Sequence, residues 1–361
     1  MADTVPRETT RPGIHLNRAA RLSNQTGPAH FVYRAQHTRR SATWDQKCAH
    51  CCLNKFREGA EMKELVCNIC SDPDYEVLFE AGEAQIHRIV KCAHCGLIYA
   101  NPQEIAASNK NRSSNAGNHS EDSHVLYDRT LHLKQRAEKE RIQVADYIST
   151  RKQLNALHPL RGKLLEIGSG FGNSLHAFRS DGWDVRGVDP DSSLNCYARD
   201  KFGLQIDDGY FASGAYSESS FDVVIMNHVI EHLPDPKEVL LGVHRILAPN
   251  GHLLIETPRY DSITFKLLGK RERSLSCFGH IYFFTGDSLR HLCEVAGYKV
   301  VKHTSTGRTL TIGRLLWNIG VISKRSGTQR AIERLSVALN LDSFRLYLNV
   351  GDIQRICLAK A

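Results

Sequence analysis

The sequence of 361 residues contains no run of eighteen or more apolar residues, so it predicts no transmembrane helix. Its amino-terminal stretch also lacks the apolar segment of a secretory signal, and we therefore expect a cytoplasmic protein. In that reducing compartment the eleven cysteines are expected to bind metal rather than to form disulfides. No internal repeat of domain size is visible. The 41% apolar residues suffice for one α/β domain with a smaller appendage.

Basic clusters with interleaved aromatic residues, which are typical of nucleic-acid-binding surfaces, are absent from the central and carboxyl-terminal regions. The formal net charge is +8, but residues 1–61 hold ten Lys/Arg against five Asp/Glu and so contribute +5 of it. The remaining 300 residues therefore carry only +3. This balance argues against nucleic acid as a partner and favours a small-molecule or carrier-linked ligand.

The first sixty residues show no sustained hydrophobic periodicity and few large apolar side chains. We therefore predict that residues 1–61 are a disordered basic leader. Met62 is an alternative start, in which case residues 1–61 would not belong to the native protein. Residues 62–104 are predicted to form a zinc ribbon, and residues 105–124 a linker.

Two CxxC pairs lie 21 residues apart in the predicted ribbon, and they provide Cys67 and Cys70, then Cys92 and Cys95. This spacing predicts a four-cysteine zinc site, because each CxxC turn directs two thiolates at one ion. Strand-like runs at residues 86–91 and 97–99 flank the second turn, where Gly96 is expected to adopt positive φ. Four thiolates leave no open coordination position, so the zinc is expected to be structural.

An earlier copy of the second pair offers a rival set of ligands. Residues 47–51 read KCAHC, as residues 91–95 do, and they place Cys48 and Cys51 at the same spacing. We prefer the later copy, because Gly96 follows it, whereas Cys52 stands at the equivalent position after the earlier copy. In addition, no strand-like run precedes the earlier copy.

A glycine-rich turn follows a predicted buried strand and provides Gly168, Gly170 and Gly172. An acid, Asp189, ends the next strand about 20 residues later, where doubly wound folds bind a ribose diol, so we expect an adenosine-containing cofactor. Asn173 stands where a dinucleotide fingerprint needs its third glycine. Glu166, just before the turn, would repel a pyrophosphate but attract a cofactor with cationic groups, such as S-adenosylmethionine.

Residues 165–172 (LEIGSGFG) resemble motif I of the class I S-adenosylmethionine-dependent methyltransferases. Residues 221–236 (FDVVIMNHVIEHLPDP) and 247–258 (LAPNGHLLIETP) resemble the fourth and fifth strands of the same family. The resemblance covers residues 125–361 and implies methyl transfer to an acceptor. Similar zinc-binding segments precede some sugar C-methyltransferases and natural-product methyltransferases. A ribbon with another ligand pattern precedes ribosomal RNA guanine methyltransferases.

The same resemblance implies which residues contact the cofactor. They are Glu166, Gly168, Ser169, Gly170, Gly172, Asp189, Asp208, Gly209 and Asn227. Glu166 is expected at the amino group, Asp189 at both ribose hydroxyls, and Asp208 with Gly209 beside the adenine. Asn227 and His228 are expected to face the methyl group.

Strands and helices alternate from residue 163 onward, which predicts an α/β, Rossmann-like doubly wound sheet with a final antiparallel strand, plus the small amino-terminal ribbon. The expected strands are 163–167, 183–188, 204–207, 221–226, 252–256, 298–303 and 352–360, and the helices 125–157, 173–181, 192–202, 236–247 and 286–296. Residues 307–347 are predicted as an insertion with amphipathic segments at 310–322 and 332–341. These segments are expected to face the core; a lid or peripheral membrane contact stays open as an alternative.

Methyl transfer to oxygen or carbon requires removal of a proton, and histidine suits that task near neutral pH. The candidate catalytic residues are His228, His232 and His280, with Tyr282 behind them. His232 has a structural alternative, since it can order the start of the next helix. We expect a small-molecule or carrier-linked acceptor, namely a sugar, glycan or natural-product intermediate. The alternatives are an RNA base methyltransferase and a non-catalytic S-adenosylmethionine-binding protein.

Overall fold

A computed structural model describes residues 62–85, 87–101, 103–104, 147–272, 274–275, 277, 279–313, 315–316, 335–336 and 338–360. The predicted leader, the predicted linker and the rival cysteines Cys48 and Cys51 lie outside these residues. No helix in the described part of the chain is long and apolar enough to cross a membrane.

Thirteen strands occur in the described residues. They are β1 (Met62–Lys63), β2 (Tyr75–Phe79), β3 (Arg88–Cys92), β4 (Ile98–Asn101), β5 (Gln103–Glu104), β6 (Lys163–Ile167), β7 (Asp184–Asp189), β8 (Gln205–Asp208), β9 (Phe221–Asn227), β10 (Leu247–Pro258), β11 (Tyr282–Phe283), β12 (Tyr298–Thr311) and β13 (Arg345–Lys360).

Six α-helices accompany them in the same described part. They are α1 (Tyr147–Leu157), α2 (Asn173–Ser180), α3 (Ser192–Phe202), α4 (Pro236–Ile246), α5 (Ile263–Leu268) and α6 (Gly286–Val295). Only the last third of the predicted helix 125–157 falls within the described residues, as α1.

The main sheet has seven strands in the order β12-β13-β10-β9-β6-β7-β8. The strands from β10 to β8 are parallel, whereas β13 runs antiparallel between β10 and β12. This confirms the predicted doubly wound sheet with its final antiparallel strand. The chain turns from one half of the sheet to the other between β6 and β9. Ligands of such sheets bind at the carboxyl ends of the strands at this switch point.

The centre of the sheet is apolar along its whole length, as expected for parallel strands covered on both faces. In β9 the run Val223–Met226 is fully buried, and Leu164 and Leu165 of β6 pack beside it with no exposed surface. Polar residues appear where these strands end, at Glu166 and Asn227. The polar side chains that could bind a ligand therefore lie together at the carboxyl ends of the central strands.

The two closing strands are longer than predicted. β12 continues to Thr311 and β13 begins at Arg345, and residues 308–311 pair with residues 345–348. The start of the predicted amphipathic segment 310–322 therefore belongs to a β-ladder rather than to a helix. The alternation of Thr and Leu in residues 309–311 is compatible with a half-exposed strand as well as with a helix. Pairing with residues 345–348, far along the chain, selects the strand.

The amino-terminal strands form a second sheet with the order β11-β4-β3-β2, beside a two-stranded pairing of β1 with β5. The predicted ribbon strands are thus present as β3 and β4, and Gly96 has φ of 73° as expected. β11 comes from a segment about 180 residues further along the chain and pairs antiparallel with β4, Tyr282 opposite Tyr99. The ribbon sheet therefore includes part of the carboxyl-terminal half.

Helix α6 begins directly after the segment that carries β11, and its start is fixed by a capping box. The Thr285 hydroxyl accepts a hydrogen bond from the Ser288 backbone N–H at 3.1 Å, and the Ser288 hydroxyl accepts one from the Thr285 N–H at 2.9 Å. These bonds satisfy two N–H groups at the start of the helix that would otherwise lack a partner.

We expect Thr285→Ala to lower the free energy of unfolding by about 1 kcal/mol, because it removes the helix cap. Thermal unfolding should then move down by about 2–4 °C. Ser217→Ala, in an exposed loop, is the matched control and should leave the midpoint unchanged. Equal midpoints for the two variants would contradict a role for the cap.

Candidate functional site

The glycine-rich turn lies between β6 and α2, at the switch point of the sheet. Gly168, Gly170 and Gly172 have φ of 75°, 51° and 71°, a region in which side chains with a Cβ are strained. A Cβ on Gly168 would lie 2.4 Å from Val229 Cγ2, and one on Gly172 2.6 Å from Leu204 Cδ1. The turn therefore needs glycine both for its backbone and for close packing.

Asp189 ends β7 beside this turn, as predicted, and is 8% exposed. Its Oδ2 accepts a hydrogen bond from the Gly170 N–H at 2.9 Å, and its Oδ1 accepts one from the Asp191 N–H at 2.8 Å. Asp189 thus orders the glycine turn from the end of the neighbouring strand.

Glu166 and Asn227 meet across the switch point. The Asn227 amide donates to Glu166 Oε1 at 3.1 Å, and Glu166 is 3% exposed. Asn227 Oδ1 and Ser169 Oγ are buried without a hydrogen-bond partner among the described residues. Such buried oxygens suit a cationic ligand group, because an ammonium supplies several donors and no acceptor. These residues therefore fit the amino group of S-adenosylmethionine.

Asp208 and Gly209, expected beside an adenine, follow β8 next to Asp189. The Asp208 carboxylate accepts hydrogen bonds from the Asn195 amide at 2.7 Å and from Arg199 at 2.8 Å. The hydrogen bonds from Asn195 and Arg199 lower the pKa of Asp208. Gly209 donates to the Asp189 carbonyl at 3.0 Å. The two residues are thus near the predicted ribose site, and their contact with a base remains a prediction.

The three candidate histidines surround one buried carboxylate, Glu231, which has no exposed surface. His228 Nδ1 lies 3.4 Å from Glu231 Oε1. Donor atoms of Glu231, His232 and His280 lie within 4.8 Å of one another. The rings of His232 and His280 are 4.6 Å apart between centroids. We call these four residues the histidine cluster.

Two further contacts orient the histidine cluster. The Thr257 hydroxyl donates to Glu231 Oε2 at 3.0 Å, and the His232 Nδ1–H donates to the Gly279 carbonyl at 2.9 Å. Val229, within the same segment, touches Gly168 of the glycine turn. The cluster therefore lies next to the predicted cofactor turn.

The environments of the cluster members differ. Burial lowers the pKa of His280 to about 4, and the neighbouring His232 ring acts in the same direction. For His228, desolvation lowers the pKa, but the neighbouring Glu231 carboxylate outweighs it and raises the pKa above its usual value. Burial acts to raise the pKa of Glu231, yet His228 holds it below its usual range. Glu231 thus favours proton uptake by His228, whereas burial disfavours it at His280.

His228 also has an unusual backbone, with φ of 54°. A residue with a Cβ rarely adopts this conformation, and such strain is concentrated at functional sites. The side chain is 48% exposed, in contrast to buried Glu231. The histidine is therefore held in a strained position at the open edge of the sheet.

Sequence reasoning missed Glu231 and Thr257 as members of this site. A signal for Glu231 was present, because it lies three residues after one candidate histidine and directly before another. No comparable sequence feature identified Thr257, because it lies within the predicted buried strand that forms β10. Its role follows only from the neighbouring positions of β9 and β10 in the sheet.

The four predicted cysteines form a second site in the ribbon. Their Sγ atoms lie within 4.8 Å of one another, with Cys67–Cys95 at 3.3 Å and Cys70–Cys92 at 3.5 Å. A tetrahedral zinc with Zn–S bonds of about 2.3 Å requires sulfur separations of about 3.8 Å. Burial raises the pKa of the Cys67 thiol and raises that of Cys95 to about 11, whereas at Cys92 the N–H groups of Cys95 and His94 outweigh burial and lower the pKa. Donor type and spacing therefore suit a four-coordinate ion.

The ribbon contacts both helix α4 and the histidine-bearing segment. Asn68 donates to Asp235 Oδ1 at 2.9 Å and accepts from the Lys237 N–H at 3.1 Å, so it helps to cap α4. The Ala100 N–H donates to the Ile281 carbonyl at 2.8 Å, one residue after His280. One apolar cluster includes ribbon residues and residues of α4. The ribbon is thus packed into the core of the larger domain.

Residues 135–303 match the family described as "Methyltransferase domain". The C-methyltransferase NovU of Streptomyces niveus is 33% identical over 147 residues, which cover 39% of this chain and 34% of that protein. A "probable S-adenosylmethionine-dependent methyltransferase" of Mycolicibacterium smegmatis is 31% identical over 138 residues, 38% of this chain and 52% of that protein. The match thus spans about a third to about half of these relatives.

Among solved structures, a SAM-dependent methyltransferase of Thermotoga maritima has a TM-score of 0.39 and 21% identity. The similarity covers 64% of this chain and 99% of that one. The family match falls on the residues that form the parallel half of the sheet, the glycine turn and the histidine cluster. Residues 135–303 of this chain are therefore similar to a methyltransferase domain.

Proposed function

We propose that this protein transfers a methyl group from S-adenosylmethionine to a small-molecule or carrier-linked acceptor. One observation carries the proposal: the glycine turn with Asp189 and the histidine cluster occupy the same edge of the sheet, in contact through Gly168 and Val229. When bound, S-adenosylmethionine supplies a methyl group activated by its sulfonium. The protein then has to position the acceptor, exclude water and remove a proton.

Each cofactor residue has a role in this proposal. Glu166 and Asn227 bind the amino group, Asp189 accepts hydrogen bonds from the ribose hydroxyls, and Gly168 and Gly170 let the backbone approach closely. Asp208 with Gly209 lies beside the adenine. The placement of Asn227 opposite Glu166 at the switch point supports the first of these roles.

We assign proton removal to His228. Its Nδ1 faces Glu231, which leaves Nε2 to accept a proton, and the half-exposed ring lies at the end of β9. A carboxylate that orients an imidazole in this way also stabilises the imidazolium that forms. His280 is buried and stays neutral, and His232 is tied to the Gly279 carbonyl, so both are less suited to the task.

The acceptor is proposed to be a sugar, glycan or natural-product intermediate, with carbon or oxygen as the methylated atom. The similarity to a C-methyltransferase supports carbon. Peripheral membrane contact belongs to the same proposal if the acceptor is lipid-linked.

We further propose that Cys67, Cys70, Cys92 and Cys95 hold one zinc ion. Four thiolates complete its coordination, so the ion stabilises the fold and takes no part in the chemistry. Thiolate ligands persist in a reducing compartment, which agrees with a cytoplasmic protein.

Calorimetric titration with S-adenosylmethionine, with NAD and NADP as controls, tests the proposal, followed by transfer of labelled methyl groups to fractionated extract. We expect only S-adenosylmethionine to bind and label to enter the small-molecule fraction. Nicotinamide binding, or none at all, would overturn the cofactor assignment. Label in RNA would favour an RNA base methyltransferase, and binding without transfer a non-catalytic protein.

We expect His228→Gln to lower kcat about 100-fold while cofactor affinity stays within twofold, because general-base contributions are on the order of 10²–10⁴. Steady-state kinetics and calorimetry on the same sample separate the two effects. His291→Gln, on the exposed face of α6, is the control and should keep full activity. A kcat unchanged in His228→Gln would remove this residue as the base.

A further inference from the structure

The histidine cluster contains a set of three metal-binding donors, of which only Glu231 has a role in the proposed proton removal. Glu231, His232 and His280 offer one carboxylate oxygen and two imidazole nitrogens within 4.8 Å of one another. The donors come from two separate elements, the turn after β9 and the segment that leads into β11. Convergence of such donors from distant parts of a chain is the usual construction of a metal site.

Neighbouring groups hold these donors in the orientation that a metal site requires. The His232 Nδ1–H donates to the Gly279 carbonyl, so the lone pair of this ring lies on Nε2. Thr257 binds one oxygen of Glu231 at 3.0 Å. Tyr260 Oη lies 3.4 Å from His280 Nδ1. Metal-binding histidines and carboxylates typically have partners of this kind, which fix the tautomer and the ring angle.

The charge and chemistry of the donors favour a divalent transition metal. Two neutral imidazoles and one carboxylate carry a charge of −1, which offsets half of the charge of a divalent ion and leaves the occupied site at +1. Nitrogen donors select Zn²⁺, Co²⁺ or Fe²⁺ over Mg²⁺ and Ca²⁺, which prefer oxygen. Three protein ligands also leave at least one coordination position open, unlike the four cysteines of the ribbon.

We propose that Glu231, His232 and His280 bind a divalent transition-metal ion with an open position toward the acceptor. The bound ion polarises an acceptor oxygen, and His228 beside it takes the proton. The proposal that an ion binds depends only on the geometry of Glu231, His232 and His280. Its effect on the acceptor rests on the proposed function.

Titration of the full-length protein, loaded with one equivalent of zinc in the ribbon, with CoCl₂ under absorption spectroscopy tests this site. We expect one further equivalent of Co²⁺, with ligand-field bands of nitrogen and oxygen ligation and without the thiolate charge-transfer band of a cysteine site. His232→Gln and His280→Gln should each weaken binding about 100-fold. His291→Gln is the control and should bind as the unchanged protein does.

His232 is exposed, so His232→Gln keeps the test valid if substitution of buried His280 prevents folding. No cobalt beyond the ribbon, or equal affinity in His232→Gln and the control, would overturn the proposal. S-adenosylmethionine binding, measured on the same samples, keeps the two proposals separate. Cofactor binding without a second ion refutes only the metal site, and a second ion without cofactor binding refutes only the methyltransferase proposal.

Discussion

Asp189→Asn should weaken S-adenosylmethionine binding about 1000-fold. Hydrogen bonds to a charged group contribute about 1.5–3 kcal/mol each, and Asp189 is proposed to accept one from each ribose hydroxyl. Together they contribute about 4 kcal/mol, which corresponds to three orders of magnitude in affinity. The substitution also removes the negative charge of the carboxylate that accepts a hydrogen bond from the Gly170 N–H, and so weakens the order of the glycine turn. Isothermal titration calorimetry measures the effect directly.

A matched control lies on the same strand. Asp184 begins β7 at the opposite edge of the sheet and is exposed, so Asp184→Asn should bind the cofactor normally. Equal affinity in the two variants would remove Asp189 from the site.

Gly170→Leu tests the turn itself and should abolish measurable cofactor binding. At φ of 51° a residue with a Cβ is strained by about 1–2 kcal/mol, and the shifted backbone would lose its bond to Asp189. Gly203 has φ of 61° and open space around it, so Gly203→Ala imposes similar strain away from the turn. Retained binding in both glycine variants would contradict close approach of the cofactor at Gly170.

Cys92→Ser should abolish binding of the proposed zinc and lower the free energy of unfolding by several kcal/mol, because structural zinc sites contribute folding energy directly. The loss should extend beyond the ribbon. β4 pairs with β11, and the Ala100–Ile281 hydrogen bond lies next to His280. We therefore expect faster hydrogen exchange in residues 279–284 as well as in residues 97–101.

Zinc content, chemical denaturation and hydrogen exchange on one preparation measure these effects. Cys196, exposed on α3, provides the control Cys196→Ser, which should keep its zinc and its stability. Zinc loss with unchanged exchange in residues 279–284 would show that the histidine segment is independent of the ribbon.

Local patterns in the sequence were sufficient to predict the parallel half of the sheet. The turns at Gly168–Gly172 and the caps at Asp191 and Asp235 fix where helices begin, so α3 agrees with its prediction at both ends. The Sγ atoms of the four cysteines lie within 4.8 Å of one another, because each CxxC turn is local and the pairing of β2, β3 and β4 brings the two turns together. The predicted contacts of all these residues with cofactor and metal remain predictions.

Features that depend on long-range pairing were not predicted. β11 has two residues, too few for a periodicity, and its partner lies in the ribbon. Glu256 and Arg355 form a buried ion pair at 2.5 Å between β10 and β13. No local sequence pattern around either residue identifies the other as its partner. The gathering of three histidines around Glu231 likewise required the turn after β9 and residues 279–280 to be adjacent.

The pairing of β4 with β11 has a consequence for protein engineering. A chimera that exchanged only residues 62–104 with those of a relative would leave β11 facing an edge strand for which it was not selected. The transferable unit is instead discontinuous and consists of the ribbon together with residues 279–284. Any lineage that altered its ribbon would have had to change the distant segment in concert, so the two stretches are expected to vary together among homologues.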